Sequence, residues 1–444
     1  MEHRIQTKTA TKLLQISKVS RDNPSYKFTS LASMLEKEYL LESYACLNKS
    51  RSSGVDGVSI EQYGENLEDN LRNLISRMKS MLYRPQNIRR VYIPKSSGGR
   101  RPLGIPAVED RIVQAAIAGI LEAIFEPNFI EESYGFRHGR GCHDALKRLD
   151  DEIWHQPINY VIEADIKGFF DNVDHKWMTE FIRHRVSDLK LVRLIVRFLK
   201  SGIIEEGKTM KTEKGTPQGG NLSPILANIY LHYVLDIWFK RRLKKELDGY
   251  AEIVRYADDF MIVVEKQSDC QTILAALKER LSKFGLELSE EKTKVIRFGK
   301  SATKGSNDNN KAGTFDFLGF THYCGKTRRG KFMVCRKTSK KRFNQKLKAM
   351  NEYLKKIRNQ VALPILWETF KSKLIGHYRY YGISGNFRSI QNYYRKVIEL
   401  IFKWLNRRSQ RRSFTWNNFN KYLKSYPLPN PKIYVNIYTK LQPN

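Results

Sequence analysis

The chain has 444 residues and a strong excess of positive charge, since 79 Lys and Arg against 46 Asp and Glu give a formal net charge of +33. Such a surplus indicates a polyanionic partner, most commonly nucleic acid, and argues against an enzyme of small acidic metabolites. Hydrophobic residues make up 41% of the chain, which is enough for a folded core and excludes a disordered polymer. The length predicts about two to four domains.

Cysteine usage and hydropathy indicate the compartment. The five cysteines are widely spaced and predict neither a disulfide framework nor a zinc site of paired cysteines. The start of the chain lacks the apolar core of a secretory signal. The longest apolar stretch, 112–125, is interrupted by Gln114 and Glu122 and therefore predicts a core helix and not a membrane span. We expect a soluble intracellular protein with reduced thiols.

The first part of the chain predicts helices around one hairpin. Residues 1–30 predict an irregular basic arm, and apolar residues at helical spacing predict helices between 28 and 83. Two strand-like runs on either side of 96–99 predict a hairpin with basic residues on both arms. Further helices are expected at 107–126 and 142–153.

The second part predicts strands with acidic ends and then a basic helical region. The apolar run 159–166 ends in a carboxylate, and 252–264 predicts two strands joined at a tight acidic turn. A helix over 268–284 and an exposed polar linker over 299–313 follow. Residues 317–351 contain eleven Lys and Arg and no Asp or Glu, and basic helical sequence continues to about residue 412.

Three carboxylates stand at strand ends, namely Asp165, Asp258 and Asp259. Each could be an ordinary turn-forming Asp. Two such sites in a very basic chain favour a different interpretation, because carboxylates packed together repel unless cations neutralise them, and hard oxygen ligands select Mg²⁺. Two Mg²⁺ ions about 3.5–4 Å apart can activate an attacking hydroxyl and stabilise the leaving oxygen of a phosphoryl transfer.

Six motifs between 85 and 325 resemble those of reverse transcriptases, in the expected order. The segment YADD at 256–259 resembles their acidic hairpin, EADIKGFFD at 163–171 the strand with the third carboxylate, and GTPQGGNLSP at 215–224 the loop beneath the nascent base pair. The other three are RPLGIP at 101–106, SYGFR at 133–137 and FLGF at 317–320. The residues of these motifs are similar to those of the reverse transcriptase/maturase proteins of bacterial group II introns, in the form that lacks a zinc endonuclease domain.

The resemblance implies an α+β right-hand polymerase whose palm contains an antiparallel sheet, followed by an α-helical basic thumb. The implied domains are a basic N-terminal arm at 1–30, fingers at 31–158, a palm at 159–325 with part of the fingers, a thumb/maturase RNA-binding domain at 326–420 and a tail at 421–444.

The resemblance also assigns the catalytic residues. Asp165 and Asp258 would hold two Mg²⁺ ions, Asp259 would assist, and the carbonyl of Ile166 would complete a coordination shell. Phe170 stands where reverse transcriptases carry the aromatic residue that blocks a ribose 2′-OH. The alternative for Phe170 is a core side chain, although its neighbour Phe169 fits that place better.

The resemblance also implies which residues contact the nucleotide and the primer. Lys95 and Arg101 flank the glycine turn of the hairpin, where both could reach a triphosphate, and Gln218 at a predicted helix start would join them in dNTP binding. The alternatives are a solvated hairpin and a simple helix cap. Leu318 and Gly319 would form the primer grip, or else an apolar β-turn.

Two further assignments are implied. Lys292 could protonate the leaving pyrophosphate, or form a surface ion pair with a neighbouring Glu. Aromatic residues interleaved with cations after 326 fit RNA, whose unpaired bases stack and whose phosphates need neutralising, although the aromatics could instead be the core of a helical bundle. The expected RNA-binding residues are Arg328, Arg329, Lys340, Lys341, Arg342, Tyr378, Arg379, Arg407 and Arg408.

We therefore expect an RNA-directed DNA polymerase that uses dNTPs, binds an RNA template and a DNA primer or target, assists splicing of its intron RNA and takes part in intron mobility. It would work in the bacterial cytoplasm, near the nucleoid when acting on DNA. The alternatives are a related enzyme domesticated for DNA repair or phage defence, an RNA-binding splicing factor without polymerase activity, and an RNA-dependent RNA polymerase, against which Phe170 argues.

Overall fold

The structure is a computed structural model with mixed helix and sheet content, in agreement with the expected α+β class. It describes residues 7–94, 99–205, 208–210, 212–216, 219–303, 312–408 and 414–438, and for Pro94, Arg101 and Thr303 only the backbone. Within these residues the strands form a hairpin sheet, a central sheet and a third sheet.

The first part of the chain is helical around a hairpin, as predicted. Its elements are α1 (Lys8–Asp22), α2 (Lys37–Ala45), α3 (Ile60–Glu65), α4 (Leu67–Lys79), β1 (Ile88–Pro94), β2 (Arg100–Ile105), α5 (Val108–Phe125) and α6 (Cys142–His155). Helix α5 lies in the core, because its apolar residues surround the helix. Short 3₁₀ turns at Leu31–Met34 and Glu126–Asn128 complete this part.

The expectation of an irregular N-terminal arm is wrong for residues 8–22, which form α1. The Thr7 hydroxyl caps the helix by accepting from the Ala10 amide at 3.1 Å. Helix α1 packs on α5, and the Ser20 hydroxyl donates to the Ile124 carbonyl at 2.5 Å. The buried Arg185 guanidinium donates to Ser20 Oγ at 2.8 Å, so the N-terminal segment is tied to the body of the protein.

The middle of the chain supplies the central sheet and its supporting helices. Its elements are β3 (Tyr160–Asp165), α7 (Phe169–Asn172), α8 (His175–Arg183), α9 (Leu189–Leu199), β4 (Ile203–Glu205), β5 (Lys208–Met210), α10 (Ser223–Leu231), a π-helical turn (His232–Asp236), α11 (Ile237–Arg241), β6 (Ala251–Tyr256), β7 (Asp259–Val264), α12 (Gln267–Lys283) and β8 (Lys294–Arg297). Short 3₁₀ turns lie at Leu243–Glu246 and Ser301–Thr303.

The central sheet has the strand order β6-β7-β3-β8, and all of its neighbouring strands are antiparallel. Because side chains alternate along a strand, Ile162 and Ala164 of β3 face the core formed with α5, α10 and α12. Val161 of the same strand faces a second core, shared with α6 and the C-terminal helices. Burial on both faces holds this sheet rigidly.

The hairpin sheet has the order β2-β1-β4-β5. Strands β1 and β2 form the predicted antiparallel hairpin, with Arg89 opposite Ile105. Strands β4 and β5 were not predicted, because three residues are too few to show alternation. Strand β4 runs parallel to β1, so the hairpin is joined to the part of the chain that follows α9.

The last part contains the third sheet and four helices: β9 (Thr314–Phe317), β10 (Phe320–Lys326), β11 (Phe332–Thr338), α13 (Lys340–Ile357), α14 (Leu363–Tyr381), α15 (Phe387–Leu405) and α16 (Trp416–Ser425). The expected domain boundary at 325/326 falls inside β10 and is therefore wrong. The antiparallel sheet continues to Thr338, and the helical region begins only with α13. Among the described residues, none of the helices is long and apolar enough to span a membrane.

Candidate active site

Three carboxylates meet at one end of the central sheet. Strand β6 ends at Tyr256, and β7 begins at Asp259, which lies directly opposite Asp165 of β3 in the antiparallel register. Asp258 lies in the turn between β6 and β7, after Ala257, whose φ of +57° is left-handed. The structure therefore brings together the three aspartates that the sequence singled out.

The site concentrates negative charge. Asp259 is exposed at the start of β7, but the surrounding protein partly desolvates its carboxylate and raises its pKa to about 6. The neighbouring Asp258 and Asp165 carboxylates add to this effect, whereas the cations of Lys292 and Arg342 oppose it. Burial, and then the charge of Asp316, raises the pKa of Glu163 to about 7. Glu163 was missed by the sequence analysis, although it lies two residues before Asp165 and hence on the same face of β3.

Lys292 contacts this acidic cluster. Its Nζ lies 2.7 Å from Asp165 Oδ2, although Lys292 follows Asp165 by 127 residues. The backbone sets this contact, because the Ser289 amide donates to the Asp165 carbonyl at 2.8 Å. Lys292 therefore forms an exposed ion pair with Asp165, whereas the neighbouring Glu290 pairs with Lys278, at 2.8 Å.

The donor set fits a hard divalent cation. Carboxylate and carbonyl oxygens are the ligands that Mg²⁺ prefers, and the crowding of negative charge around Asp259 is what a bound cation would relieve. Within the described ranges, however, no three Asp, Glu, His or Cys side chains already surround a common metal position. One oxygen of Asp165 is instead occupied by the Lys292 ammonium.

Phe170 follows Asp165 by five residues and lines a cleft between α7 and the hairpin sheet. It belongs to α7, which follows the left-handed Gly168, and it is only half-buried, whereas Phe169 is buried in the core as expected. The cleft is small, with a volume of about 40 Å³, and is also lined by Arg90, Gly104 and Lys214. Neither of these cations was predicted from the sequence.

The glycine-rich loop after β5 is docked onto α7 through its backbone. The Thr216 amide donates to the Phe170 carbonyl at 2.7 Å, and the Gly215 amide donates to the Val173 carbonyl at 2.7 Å. The His175 ring donates from Nε2 to the Gly215 carbonyl at 2.7 Å. Gly215 has φ +88°, and a Cβ there would lie 2.9 Å from the Phe170 carbonyl oxygen, so only glycine fits.

The predicted nucleotide contacts are described only in part. Lys95 and Gln218 lie outside the described residues, and Arg101 is placed in β2 by its backbone alone. Gly219, next to Gln218, packs against β2, since a Cβ at this position would lie 2.5 Å from the Gly104 carbonyl oxygen. The loop therefore reaches the hairpin sheet.

Leu318 and Gly319 form the turn between β9 and β10, with left-handed φ values of +48° and +82°. The Tyr380 hydroxyl of α14 donates to the Leu318 carbonyl at 2.9 Å, and the Ser339 amide donates to the Gly319 carbonyl at 3.0 Å. A Cβ on Gly319 would lie 3.6 Å from Arg342 Cγ. The turn is thus held by the beginning of α13 and the end of α14.

Most of the basic residues that were expected to bind RNA are exposed. Arg408 is half-buried and donates to the Val361 carbonyl at 3.2 Å. The prediction for Tyr378 is wrong, because this side chain is fully buried among the aromatics of the C-terminal core. The exposed members are Arg328, Arg329, Lys340, Lys341, Arg342, Arg379 and Arg407.

Gly215→Ala should loosen the loop from α7. Gly57→Ala is the matched control, because Gly57 also has a left-handed φ, +72°, but nothing lies within 4 Å of its added Cβ. Both variants incur a left-handed penalty of roughly 1–2 kcal/mol, but only Gly215→Ala also collides with α7. Amide hydrogen exchange at Thr216 should become faster in Gly215→Ala and remain slow in Gly57→Ala. Equal protection in both variants would contradict this account.

Comparison with known proteins agrees with this geometry. The family model described as reverse transcriptase (RNA-dependent DNA polymerase) matches residues 93–322. The group II intron-encoded protein LtrA of Lactococcus lactis subsp. cremoris is 35% identical over 350 residues, covering 65% of this chain and 58% of the relative. Protein YkfC of Escherichia coli K12 is 32% identical over 314 residues, covering 62% of this chain and 81% of the relative.

A more distant relative is the nuclear intron maturase 4, mitochondrial, of Arabidopsis thaliana, which is 25% identical over 238 residues, covering 51% of this chain and 28% of the relative. The matched part of this chain spans 58% of the length of LtrA. The family model covers more than half of this chain and includes all three aspartates. The chain therefore belongs to the reverse transcriptase family.

Proposed function

We propose that the protein is an RNA-directed DNA polymerase that copies an RNA template into DNA from dNTPs. The observation that carries this proposal is the antiparallel register that sets Asp165 beside Asp259 at the acidic turn, within the region that matches the family. The net charge of +33 supports it, because template, primer and dNTP are all polyanions.

In this proposal the fold is a right-hand polymerase. The central sheet is the palm, the hairpin sheet belongs to the fingers, and helices α13–α15 form the thumb. The third sheet then joins palm and thumb, which is supported by the packing of its β9–β10 turn against α13 and α14. Leu318 and Gly319 would hold the primer end at this turn.

The catalytic step would be a phosphoryl transfer at the acidic cluster. Asp165, Asp258 and Asp259 would hold two Mg²⁺ ions together with the Ile166 carbonyl. When bound, such ions activate the attacking hydroxyl and stabilise the leaving oxygen. The protein's own contribution is positional, since the rigid central sheet holds the carboxylates in a fixed arrangement.

The surface around the small cleft beside Phe170 would form part of the site for the incoming nucleotide. Phe170 would exclude a ribose 2′-OH by steric contact, and Arg90 and Lys214, which line the same cleft, would neutralise phosphate charge. Lys95, Arg101 and Gln218 would complete the dNTP contacts from the hairpin tip and the adjoining loop.

The exposed cations of the C-terminal region would bind intron RNA, assist its splicing and so contribute to intron mobility. Support comes from the exposure of Lys340, Lys341 and Arg342 on α13 and of Arg379 on α14, because the apolar side of these helices packs into the C-terminal core. Two relatives, a group II intron-encoded protein and an intron maturase, support the same assignment by their names.

Asp258→Ala should abolish DNA synthesis and leave RNA affinity nearly unchanged. Several kcal/mol of charge stabilisation would be lost, which corresponds to a decrease in rate of about 1,000-fold or more. The measurement is primer extension on an RNA template with dNTPs and Mg²⁺, alongside an RNA-binding titration. Asp69→Ala, at a surface Asp that pairs with Arg72, is the control and should keep both activities. Loss of RNA binding together with synthesis would mean that Asp258 serves folding instead.

Phe170→Ala should relax the selection against ribonucleotides. Removing the ring opens space for a 2′-OH, so the dNTP-over-rNTP ratio of kcat/KM should fall by about 10- to 100-fold. Phe169→Leu is the control, because Phe169 is buried and should leave this ratio unchanged. The ratio would be measured by single-nucleotide incorporation. An unchanged ratio in Phe170→Ala would overturn the assignment of Phe170.

A further inference from the structure

A fully buried guanidinium lies behind the acidic turn. Arg255 of β6 is 0% exposed, and so is Asp236, to which it donates from Nε at 2.7 Å and from Nη2 at 2.5 Å. Its Nη1 donates to Asn228 Oδ1 at 3.2 Å and to the Ala257 carbonyl at 2.9 Å. The guanidinium thus connects a helix to the turn that carries two of the three aspartates.

The contact with Ala257 falls on the strained residue of the turn. A left-handed φ, +57° here, costs a residue with a side chain roughly 1–2 kcal/mol and persists only where the surroundings hold it. The carbonyl that Arg255 binds belongs to the peptide bond between Ala257 and Asp258. Fixing the plane of this peptide fixes the positions of the Asp258 nitrogen and Cα, from which its side chain extends.

The opposite side of the turn is also held. The Tyr134 amide donates to the Arg255 carbonyl, and the Arg255 amide to the Glu132 carbonyl, both at 2.9 Å. A Cβ on Gly135 would lie only 2.2 Å from the Ala257 nitrogen, so the backbone of Gly135 rests directly on the turn. Asn228 Nδ2 donates to the Gly135 carbonyl at 2.8 Å and therefore links both sides.

The π-helical turn explains how Asn228 and Asp236 reach the same guanidinium. In a regular α-helix, which advances about 100° per residue, side chains eight residues apart would point about 80° apart. The π-helical turn His232–Asp236 takes up one additional residue, which brings the two side chains to within about 20° of each other. The π-helical turn thus places Asn228 and Asp236 on the same side of the helix, facing Arg255.

We propose that Arg255, Asp236 and Asn228 form a positioning network that holds the Ala257–Asp258 peptide and so aims the carboxylates of the acidic turn at Asp165. This role deepens the proposed polymerase function and rests on it. Because α10 carries Asn228 and follows the loop docked on Phe170, the network also connects the nucleotide cleft to the acidic turn.

The alternative is that Arg255 and Asp236 only stabilise the fold. Replacing both residues of the ion pair at once distinguishes this structural role from the positioning role. Removing one partner would leave a buried charge and unfold the protein, whereas replacing both partners of a buried ion pair by apolar residues is often neutral for stability. The test variant is therefore Arg255→Met with Asp236→Leu. The matched control is Arg336→Met with Asp150→Leu, since Arg336 is also 0% exposed and lies 2.5 Å from Asp150, between β11 and α6.

The readouts are thermal stability, single-nucleotide incorporation and Mn²⁺ binding followed by electron paramagnetic resonance. The Arg255/Asp236 variant should remain folded, lose about 100-fold in kcat because the reacting groups are misaligned, and keep its KM for dNTP within about threefold. Its Mn²⁺ affinity should fall by about 10- to 100-fold, as is typical when residues that orient metal ligands are replaced. The Arg336/Asp150 variant should match the wild type in kcat and in Mn²⁺ affinity.

A folded Arg255/Asp236 variant with wild-type kcat and Mn²⁺ affinity would overturn the proposal. If that variant does not fold, Asn228→Ala tests the proposal instead. It removes the hydrogen bonds to Arg255 and Gly135 and keeps the Arg255–Asp236 ion pair. Mn²⁺ affinity should fall in Asn228→Ala, and wild-type affinity there would overturn the network. A wild type that binds Mn²⁺ and extends no primer would contradict the proposed function, and the Mn²⁺ comparison would still decide the positioning role.

Discussion

Repulsion between carboxylates is the constraint around which this structure is arranged. Asp165 and Asp259 lie opposite each other in neighbouring strands, and Asp258 is the turn residue that precedes Asp259. Side chains of like charge that face each other across a sheet destabilise it. The arrangement persists because the central sheet is buried on both faces, so that its register is fixed by apolar packing and not by the acidic end itself.

The neighbourhood of the acidic end offsets the charge in two ways. The Lys292 ammonium contacts Asp165, and the charge of Arg342 of α13 opposes the rise in the pKa of Asp259. The strain of the turn is held separately, through backbone and guanidinium contacts to Ala257. A site of this kind combines rigid geometry with concentrated negative charge, which is what a metal-dependent phosphoryl transfer requires.

The sequence could predict those elements of the fold and of the site that have a pattern among neighbouring residues. Alternation and strand-ending aspartates predicted the hairpin and the strands of the acidic site, and motif resemblance predicted the family. The contact of Lys292 with Asp165 joins residues 127 positions apart, and no local pattern indicates it. Arg255 was overlooked because a cation in an apolar strand has no pattern until its partner is known.

The errors have equally physical causes. Tyr378 stands in a helix where aromatic and basic residues are interleaved, so composition alone could not tell the buried face from the exposed one. Strand β11 was taken as part of a basic helical region because lysines and arginines dominate its neighbourhood, although its pairing with β10 places it in a sheet. Charge and aromaticity predict a partner more reliably than they predict secondary structure.

The most direct test of the central claim is to map where a divalent metal binds. Fe²⁺ in place of Mg²⁺, with ascorbate and peroxide, produces radicals that cut the backbone close to the bound ion. We expect cuts in two stretches that are distant in sequence, around Asp165 and around Asp258, and their loss in Asp165→Asn. Cuts confined to other regions, or unchanged in Asp165→Asn, would show that the three aspartates do not form the metal site.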